Sequence, residues 1–392
     1  MLRQFLAPTL FLVLSSWAAS AGVSLAQTVS PPFQADYTVD LLGSVPGVPT
    51  NYGGLTFARD DLNTILIGGA ANQAGGLLYA ISVVRDGEQH VTGFTGTASV
   101  FAAAAYNDGG VTYGPGGVLF LARWPANELG QTKPGSSITD KIIPLGQFGI
   151  VSSLSALAFV PAGFPGAGRL KLVTYGSGNW YDASITADGN GTYDLVDVSS
   201  RVQIPGGPEG FVYVPPGSPQ FNDYSSILVA EYSAGKIAAY QIDSSGDPVT
   251  TSRVDFLTGL SGAEGAVVDP LTGDFLFSTF GGFNQVVAVR GFGRPTECLG
   301  CASGPGCMDT CDTESGQCRT CGHPASNSRC VVNAVFVLQG SLELRDCELC
   351  TCDVDSSGAV TATDALSILR SCVGVGVDLE CSVPGTTTTT VP

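Results

Sequence analysis

Charge is scarce in this chain, and what there is has mostly one sign. Of 392 residues only 13% are charged, and 17 Lys and Arg face 34 Asp and Glu, for a formal net charge of -17. No basic run interrupts that excess, so a polyanion would be repelled and nucleic acid is excluded as a partner. A cation is the more natural small ligand. Histidine is nearly absent, with 2 in the chain. Between residues 33 and 292 only His90 occurs, in the polar run RDGEQHVTG, which reads as a hairpin loop. Histidine-based acid-base chemistry and a Ser-His-Asp arrangement therefore have no candidates there. No G-x-S-x-G elbow, phosphate loop or dinucleotide fingerprint stands in a strand-to-helix context. Cysteine is lacking over three quarters of the chain: all 12 lie at or beyond Cys298.

Long hydrophobic runs are missing too, apart from the start. A basic residue, Arg3, precedes an apolar run from Phe5 to Leu14, and Ser24 and Ala26 fit signal-peptidase cleavage before Gln27. Residues 1–26 are expected to be a secretory signal peptide; Pro8 and the shortness of the run speak against a membrane anchor. An exported chain with an even number of cysteines favours disulfides over thiolate chemistry, with zinc at the C-x2-C pairs 298/301, 318/321 and 347/350 as the alternative. Spacing does not fix the pairing.

What is abundant is glycine, 52 residues, with turn signals such as DPLTGD and IDSSGDP. From Ala35 to Phe292 one pattern returns: a glycine-bearing or small start, an alternating apolar strand, a turn, and a second strand. The starts are GGLTFARDDLNTILIGG at Gly53, GGVTYGPGGVLFLAR at Gly109, SALAFVPAGF at Ser155, PEGFVYVPPG at Pro208 and AEGAVVDPLTGDFLFSTF at Ala263. They recur at roughly fifty residues, room for about four short strands each. Radial sheets of that size protect their edges, which predicts a mainly β fold, a β-propeller over 33–292. The last unit holds only three strands, so FQADYTVDLLG, Phe33 to Gly43, is expected to complete it and close the ring. The count favours five blades, with six as the alternative. In pattern the region resembles propellers of the lactonase and NHL-repeat kind.

Aligning the starts puts Gly53, Gly109, Ser155, Glu209 and Glu264 at one equivalent position, ahead of the inner strand and at the mouth of the channel. Metal-dependent propeller lactonases hold a divalent ion there with a Glu and several Asn or Asp residues. The resemblance thus implies a channel metal on Glu209 and Glu264, with Asn107, Asp108 and Asn179 as possible companions; two glutamates alone are too few for a hard cation. ITADGNGTYDL, Ile185 to Leu195, has Tyr193 where a calcium loop needs glycine and reads as a hairpin turn.

Beyond Cys298 the composition changes. Residues 298–330 are rich in cysteine, glycine and proline with almost no apolar run, and read as a cross-linked connector. A duplication follows over 331–381: Cys318-x2-Cys321 leads to NAVFVLQ and Cys347-x2-Cys350 leads to DALSILR. In the second copy Asp353, Asp355 and Ser357 fall at calcium-loop positions one, three and five, with Gly358 at six, the Ala359 carbonyl at seven, Thr361 at nine and Asp364 at twelve. Thr361 and Asp364 also have the spacing of a capping box. This stretch resembles the type I dockerin repeat, an EF-hand-like calcium motif, which implies calcium as cofactor. Three departures matter: the first copy has Gly322, Pro324 and Ser326 at ligand positions, Ser357 stands at the fifth loop position instead of a carboxylate and should weaken the site, and Ala362 and Thr363 stand where the hydroxyl pair would face cohesin. Residues 382–392 are a threonine-rich, disordered tail.

The expected protein is secreted or at the cell surface. It is a non-catalytic binding propeller with a calcium-dependent docking or stabilising module, and its partner is an extracellular protein or carbohydrate. The alternative is a metal-dependent propeller hydrolase or lactonase tethered by its tail, whose catalytic residues the sequence does not identify. The two differ at Glu209 and Glu264.

Overall fold

The computed structural model describes residues 27–282, 284–293, 311–312, 317–318, 330–342, 352, 354 and 360–372. The signal-peptide reading, most of the connector, the first four members of the calcium loop's ligand set (Asp353, Asp355, Ser357 and Ala359), and the tail lie outside the described residues.

The chain opens with two short strands that join later sheets, β1 (Thr28–Val29) and β2 (Thr38–Gly43). Four consecutive hairpin-linked quartets then follow. They are β3–β6 (Leu55–Ala58, Asp61–Gly69, Leu77–Arg85, Val91–Ala103) and β7–β10 (Asn107–Tyr113, Leu119–Arg123, Glu128–Thr132, Lys141–Pro144). After them come β11–β14 (Leu154–Phe159, Leu170–Thr174, Asn179–Ala187, Tyr193–Gln203) and β15–β18 (Pro208–Tyr213, Ser226–Glu231, Lys236–Gln241, Val254–Thr258). Three strands, β19–β21 (Ala263–Val268, Phe275–Thr279, Val286–Arg290), end the series. Each group is one antiparallel sheet, and the fifth is completed by β2, giving the order β19-β20-β21-β2. This is a five-bladed propeller. The ring closes as the strand count requires: Val39 pairs with Val289 and Leu41 with Val287, joining residues from opposite ends of the domain. β1 adds a fifth strand outside β18.

Five apolar cores occupy the five blade-to-blade interfaces. Leu66 and Leu78 of the first blade meet Val111, Leu119 and Leu121 of the second. Phe120 and Leu129 meet Leu157 and Leu172, and Trp180 and Val173 meet Phe211 and Val229. Leu228 and Phe256 meet Phe275 and Val287, and Ile65 and Ile67 meet Leu276 and Ala288. Both faces of each sheet are thus covered, and each fully buried Leu, Ile or Phe contributes about 1.5–3 kcal/mol.

Ion pairs latch one blade to the one before it. Lys171, fully buried, bonds Asp182 Oδ1 and Asp247 Oδ1 at 2.6 Å each, and Asp247 also accepts from Trp180 Nε1 and Arg201 Nε. Asp188 in the β13–β14 hairpin receives Lys141 of the second blade. At the seam between first and last blades, Arg85 bonds Asp269 and His90 Nδ1 lies 2.6 Å from Asp274. His90 sits in the β5–β6 hairpin, as its sequence context indicates. The DGNGT turn also forms a hairpin: Asp188 accepts from the Asn190 and Thr192 amides, and these bonds with Lys141 hold its carboxyl far below the usual range.

At the C-terminal end two helices pack together, α1 (Cys330–Ser341) and α2 (Ala362–Cys372), burying Ala334, Val337, Cys352, Val354, Ala365 and Ile368. Upstream, β22 (Cys311–Asp312) pairs with β23 (Gln317–Cys318) and sets Cys311 opposite Cys318. None of the described helices is long and apolar enough to cross a membrane.

Candidate metal centre in the propeller channel

The innermost strands β3, β7, β11, β15 and β19 all begin at one end of the channel, here its head, and run toward its foot. Each of the last four begins with a bulge. In β15, Glu209 and Gly210 together oppose Ala230, because Pro208 pairs with Glu231 and Phe211 with Val229. In β19, Glu264 and Gly265 oppose Ser278 in the same way. A bulge frees one residue from the ladder and re-aims its side chain, and here it turns both glutamates into the channel.

β7 carries one residue more. Asn107 pairs with Arg123 and Val111 with Leu121, so three residues, 108 to 110, oppose Ala122 alone. The glycines still align as the repeat suggests, with Gly54, Gly110, Gly210 and Gly265 where inner strands touch, and Asp108, first of three bulged residues as Glu209 and Glu264 are first of two, enters the channel beside them. The carboxyl oxygens of these three residues all lie within 4.8 Å of one another. All three are buried, at 1%, 5% and 1% exposure for Asp108, Glu209 and Glu264.

Asn107, the residue before Asp108, carries a further buried oxygen. Its Nδ2 donates to the Ala104 carbonyl at 2.9 Å, which aims Oδ1 the other way. A Cβ placed on Gly53 or Gly68 would collide with Oδ1. The amide oxygen therefore fills the place where the first blade, with glycine at the equivalent position, has no side chain. Asn72 turns its amide nitrogen to Asp108 Oδ1 at 2.8 Å and fixes that carboxyl. With all three acids ionised, four buried oxygens have no hydrogen-bond partner: Asn107 Oδ1, Asp108 Oδ2, Glu209 Oε2 and Glu264 Oε1. Unpaired buried acceptors are costly, and three carboxyl groups gathered this closely could hold a metal ion.

Without a cation the three acids cannot all ionise. Burial first, then hydrogen bonding within the trio, sets Asp108 at about 7. Burial and the charge of Asp108 raise Glu209 and Glu264 well above the ordinary carboxyl range. The glutamates thus stay protonated and donate to Asp108.

Of the companions the sequence offers, Asp108 joins the cluster, Asn107 sets its buried amide oxygen against Gly53 and Gly68, and Asn179 stands apart. Asn179 opens β13, the third strand of its blade, and donates to the Tyr181 hydroxyl. Ser155, at the equivalent channel position in the third blade, donates to the Pro208 carbonyl at 2.7 Å and ties two blades together. Sequence reasoning missed a row of aromatics: the residue directly after the second strand is Trp124, Tyr175, Tyr232 and Phe280 in four successive blades. Tyr175 and Tyr232 meet edge to face at 5.9 Å between centroids, and Tyr232 and Phe280 at 6.1 Å. Tyr232 ionises less readily because of burial first, then the charges of Glu264, Tyr175, Glu209 and Asp108. The missed signal is the recurrence itself, in RW, TY, EY and TF.

In the C-terminal pair, Thr361 and Asp364 cap α2 reciprocally. Asp364 Oδ2 accepts from the Thr361 amide and hydroxyl at 2.7 and 2.9 Å, and Thr361 Oγ1 accepts from the Thr363 amide. Asp364 Oδ1 accepts from the Val354 amide at 2.8 Å, holding the start of the acidic loop to the helix. Asp353, Asp355, Ser357 and Ala359 lie outside the described residues.

The fold and site define a β-propeller with an acidic channel centre. No protein-family model and no curated protein sequence matches the chain. Among solved structures it is similar to a gluconolactonase from Xanthomonas campestris, with 11% identity, 67% of this chain and 94% of that one covered, and a TM-score of 0.39. It is also similar to an auxiliary nutrient binding protein from Bacteroides thetaiotaomicron, at 9% identity, 64% and 76% coverage, and a TM-score of 0.38. A third similar protein, from Bacteroides uniformis and provisionally assigned as a 6-phosphogluconolactonase, shares 13% identity at a TM-score of 0.34; 57% of this chain is matched, and it spans 63% of that protein's length.

Proposed function

We propose that the propeller is a cation-dependent binding protein, with calcium held in the channel by Asp108, Glu209, Glu264 and the Asn107 amide oxygen. The observation that carries this reading is the gathering of three buried carboxyl groups from three blades, with oxygens within 4.8 Å of one another and one unpartnered oxygen on each. A calcium ion takes six to eight oxygens, so the four proposed ligands leave positions for water and for oxygens of a bound ligand. The aromatic row Tyr175, Tyr232 and Phe280 is the natural wall for that ligand. We further propose export of the chain, a second calcium ion in the dockerin-like loop from Asp353 to Asp364, cysteine cross-links in the connector, and an extracellular protein or carbohydrate partner. A cohesin-like partner does not fit Ala362 and Thr363.

One observation favours a second reading, hydrolysis of a carbonyl-bearing ligand. A cation with open positions polarises a carbonyl oxygen as a Lewis acid, and the channel centre offers such positions beside Tyr232.

The test is calcium uptake by the full chain, measured by calorimetry after chelation. Wild type should bind two ions, Glu209→Gln with Glu264→Gln should lose one, and Asp353→Ala should lose the other. Uptake by the glutamate double variant equal to wild type, with its circular dichroism unchanged, would remove the channel site.

A further inference from the structure

The channel does not run open through the ring. Just below the carboxyl cluster the inner strands touch backbone to backbone. A Cβ on Gly54 would lie 2.6 Å from the Gly109 carbonyl oxygen, and one on Gly110 2.6 Å from the Leu157 nitrogen. Cβ atoms on Gly210 and Gly265 would strike Glu264 and Gly54 backbone atoms. The third and fourth blades are joined there by the Ser155 hydroxyl on Pro208. This glycine neck divides the channel into two compartments.

The foot compartment is a cavity of about 330 Å³ that reaches up to Gly109. Its walls include Val111, Phe159, Phe164, Phe211 and Val267, with prolines 161, 215, 216 and 270 on the loops around its opening. No charged side chain lines it. Its side-chain hydroxyls are Thr56, Thr112 and Tyr213, and the last is already donated to the Gly246 carbonyl at 2.9 Å. Concave apolar cavities of this size with one or two placed polar groups suit small-molecule ligands. A charged molecule would lose its hydration there without gaining a partner.

We infer that the foot compartment is a second ligand site, separate from the cation centre, for a small uncharged and largely apolar molecule with one hydrogen-bonding group within reach of Thr56 or Thr112. The neck makes occupancy of the two compartments independent, so neither the calcium ion nor its ligand is required for binding at the foot.

The test uses the full chain and the uncharged fluorophore N-phenyl-1-naphthylamine, with its anionic analogue 1-anilinonaphthalene-8-sulfonate as the contrast. The neutral dye should bind saturably with one-to-one stoichiometry, and equally with calcium or with chelator; the sulfonate should bind at least tenfold more weakly. Ala158→Phe and Ala266→Phe, two separate fillings of the cavity from different blades, should each weaken the neutral dye at least tenfold while calcium uptake and near-ultraviolet circular dichroism stay as in wild type. Three results would overturn the inference: no saturable binding to wild type, sulfonate binding as tight as that of the neutral dye, or undiminished dye binding by a filled variant that is folded.

Discussion

Replacing Asp108 by Asn should make the metal-free propeller more stable at alkaline pH and the calcium-loaded one less so. The reason is the pH at which Asp108 ionises, about 7 in the folded chain against the ordinary 3.8. A carboxyl with a raised folded value contributes its stability below the unfolded value, and that contribution drains away as pH rises through the folded value. The wild-type protein in chelator should therefore lose stability between about pH 4 and 7, by up to roughly 4 kcal/mol from Asp108 alone. Asn cannot ionise and is nearly the same size. It also keeps an acceptor for the protonated glutamates.

In a domain of this length a change of that size moves the melting temperature by on the order of 10 °C. The assay is differential scanning calorimetry of both proteins from pH 4 to 8.5, in chelator and in calcium. In chelator the two curves should coincide at low pH and separate above pH 5, with Asp108→Asn the more stable. Calcium at a hundred-thousandfold excess over its dissociation constant adds about 7 kcal/mol to a protein that binds it, so saturating calcium should reverse the order. Parallel curves in chelator would refute the burial argument. Equal gains from calcium would refute the assignment of Asp108 as a ligand.

Other consequences follow from the blade interfaces and the cap. Asp247→Ala leaves the fully buried Lys171 with Asp182 alone and strips Trp180 Nε1 of its acceptor; urea unfolding should show a loss of about 3–5 kcal/mol, and a loss under 1 would show that water replaces the carboxylate. Leu228→Ala, at the interface of the last two blades, should cost about 2–5 kcal/mol in the same assay. Thr361→Ala removes the reciprocal cap of α2 and should destabilise that helix by about 1 kcal/mol, seen as faster amide exchange over 362–372; unchanged exchange would mean packing alone fixes the helix start.

The propeller was legible because its signal is repetitive. Five glycine-bearing starts, a short last unit and a spare strand at Phe33 to Gly43 together require closure between β2 and β21, and the pairing of Val39 with Val289 is that closure. The latches were not legible. Lys171 finds Asp247 across 76 positions, and Arg85 finds Asp269 across 184, separations at which spacing says nothing about contact. The aromatic row was present in the sequence but falls where each strand ends, so a search for strand periodicity passes over it.

The channel centre shows most clearly where a repeat alignment stops informing. Glu209 and Glu264 were found because each directly precedes the glycine that the neck requires. Asp108 stands two places before its own, in Asp-Gly-Gly, and an alignment on glycine assigns the channel position to Gly109. The chain resolves the mismatch with one added bulge residue in β7, so the side chain that enters is counted from the head of the strand and the glycine that packs is counted from the foot. A bulge makes those two counts differ, because it breaks the period of two on which strand-facing arguments rest. Deleting Gly109 should then restore the simple bulge and set Asp108 directly before Gly110, as Glu209 stands directly before Gly210. Channel calcium would be kept and the ring would stay intact, as shown by unchanged far-ultraviolet circular dichroism. Loss of channel calcium by that deletion in an intact ring would mean that the carboxyl is aimed by the extra residue itself and not by its count from the head of the strand.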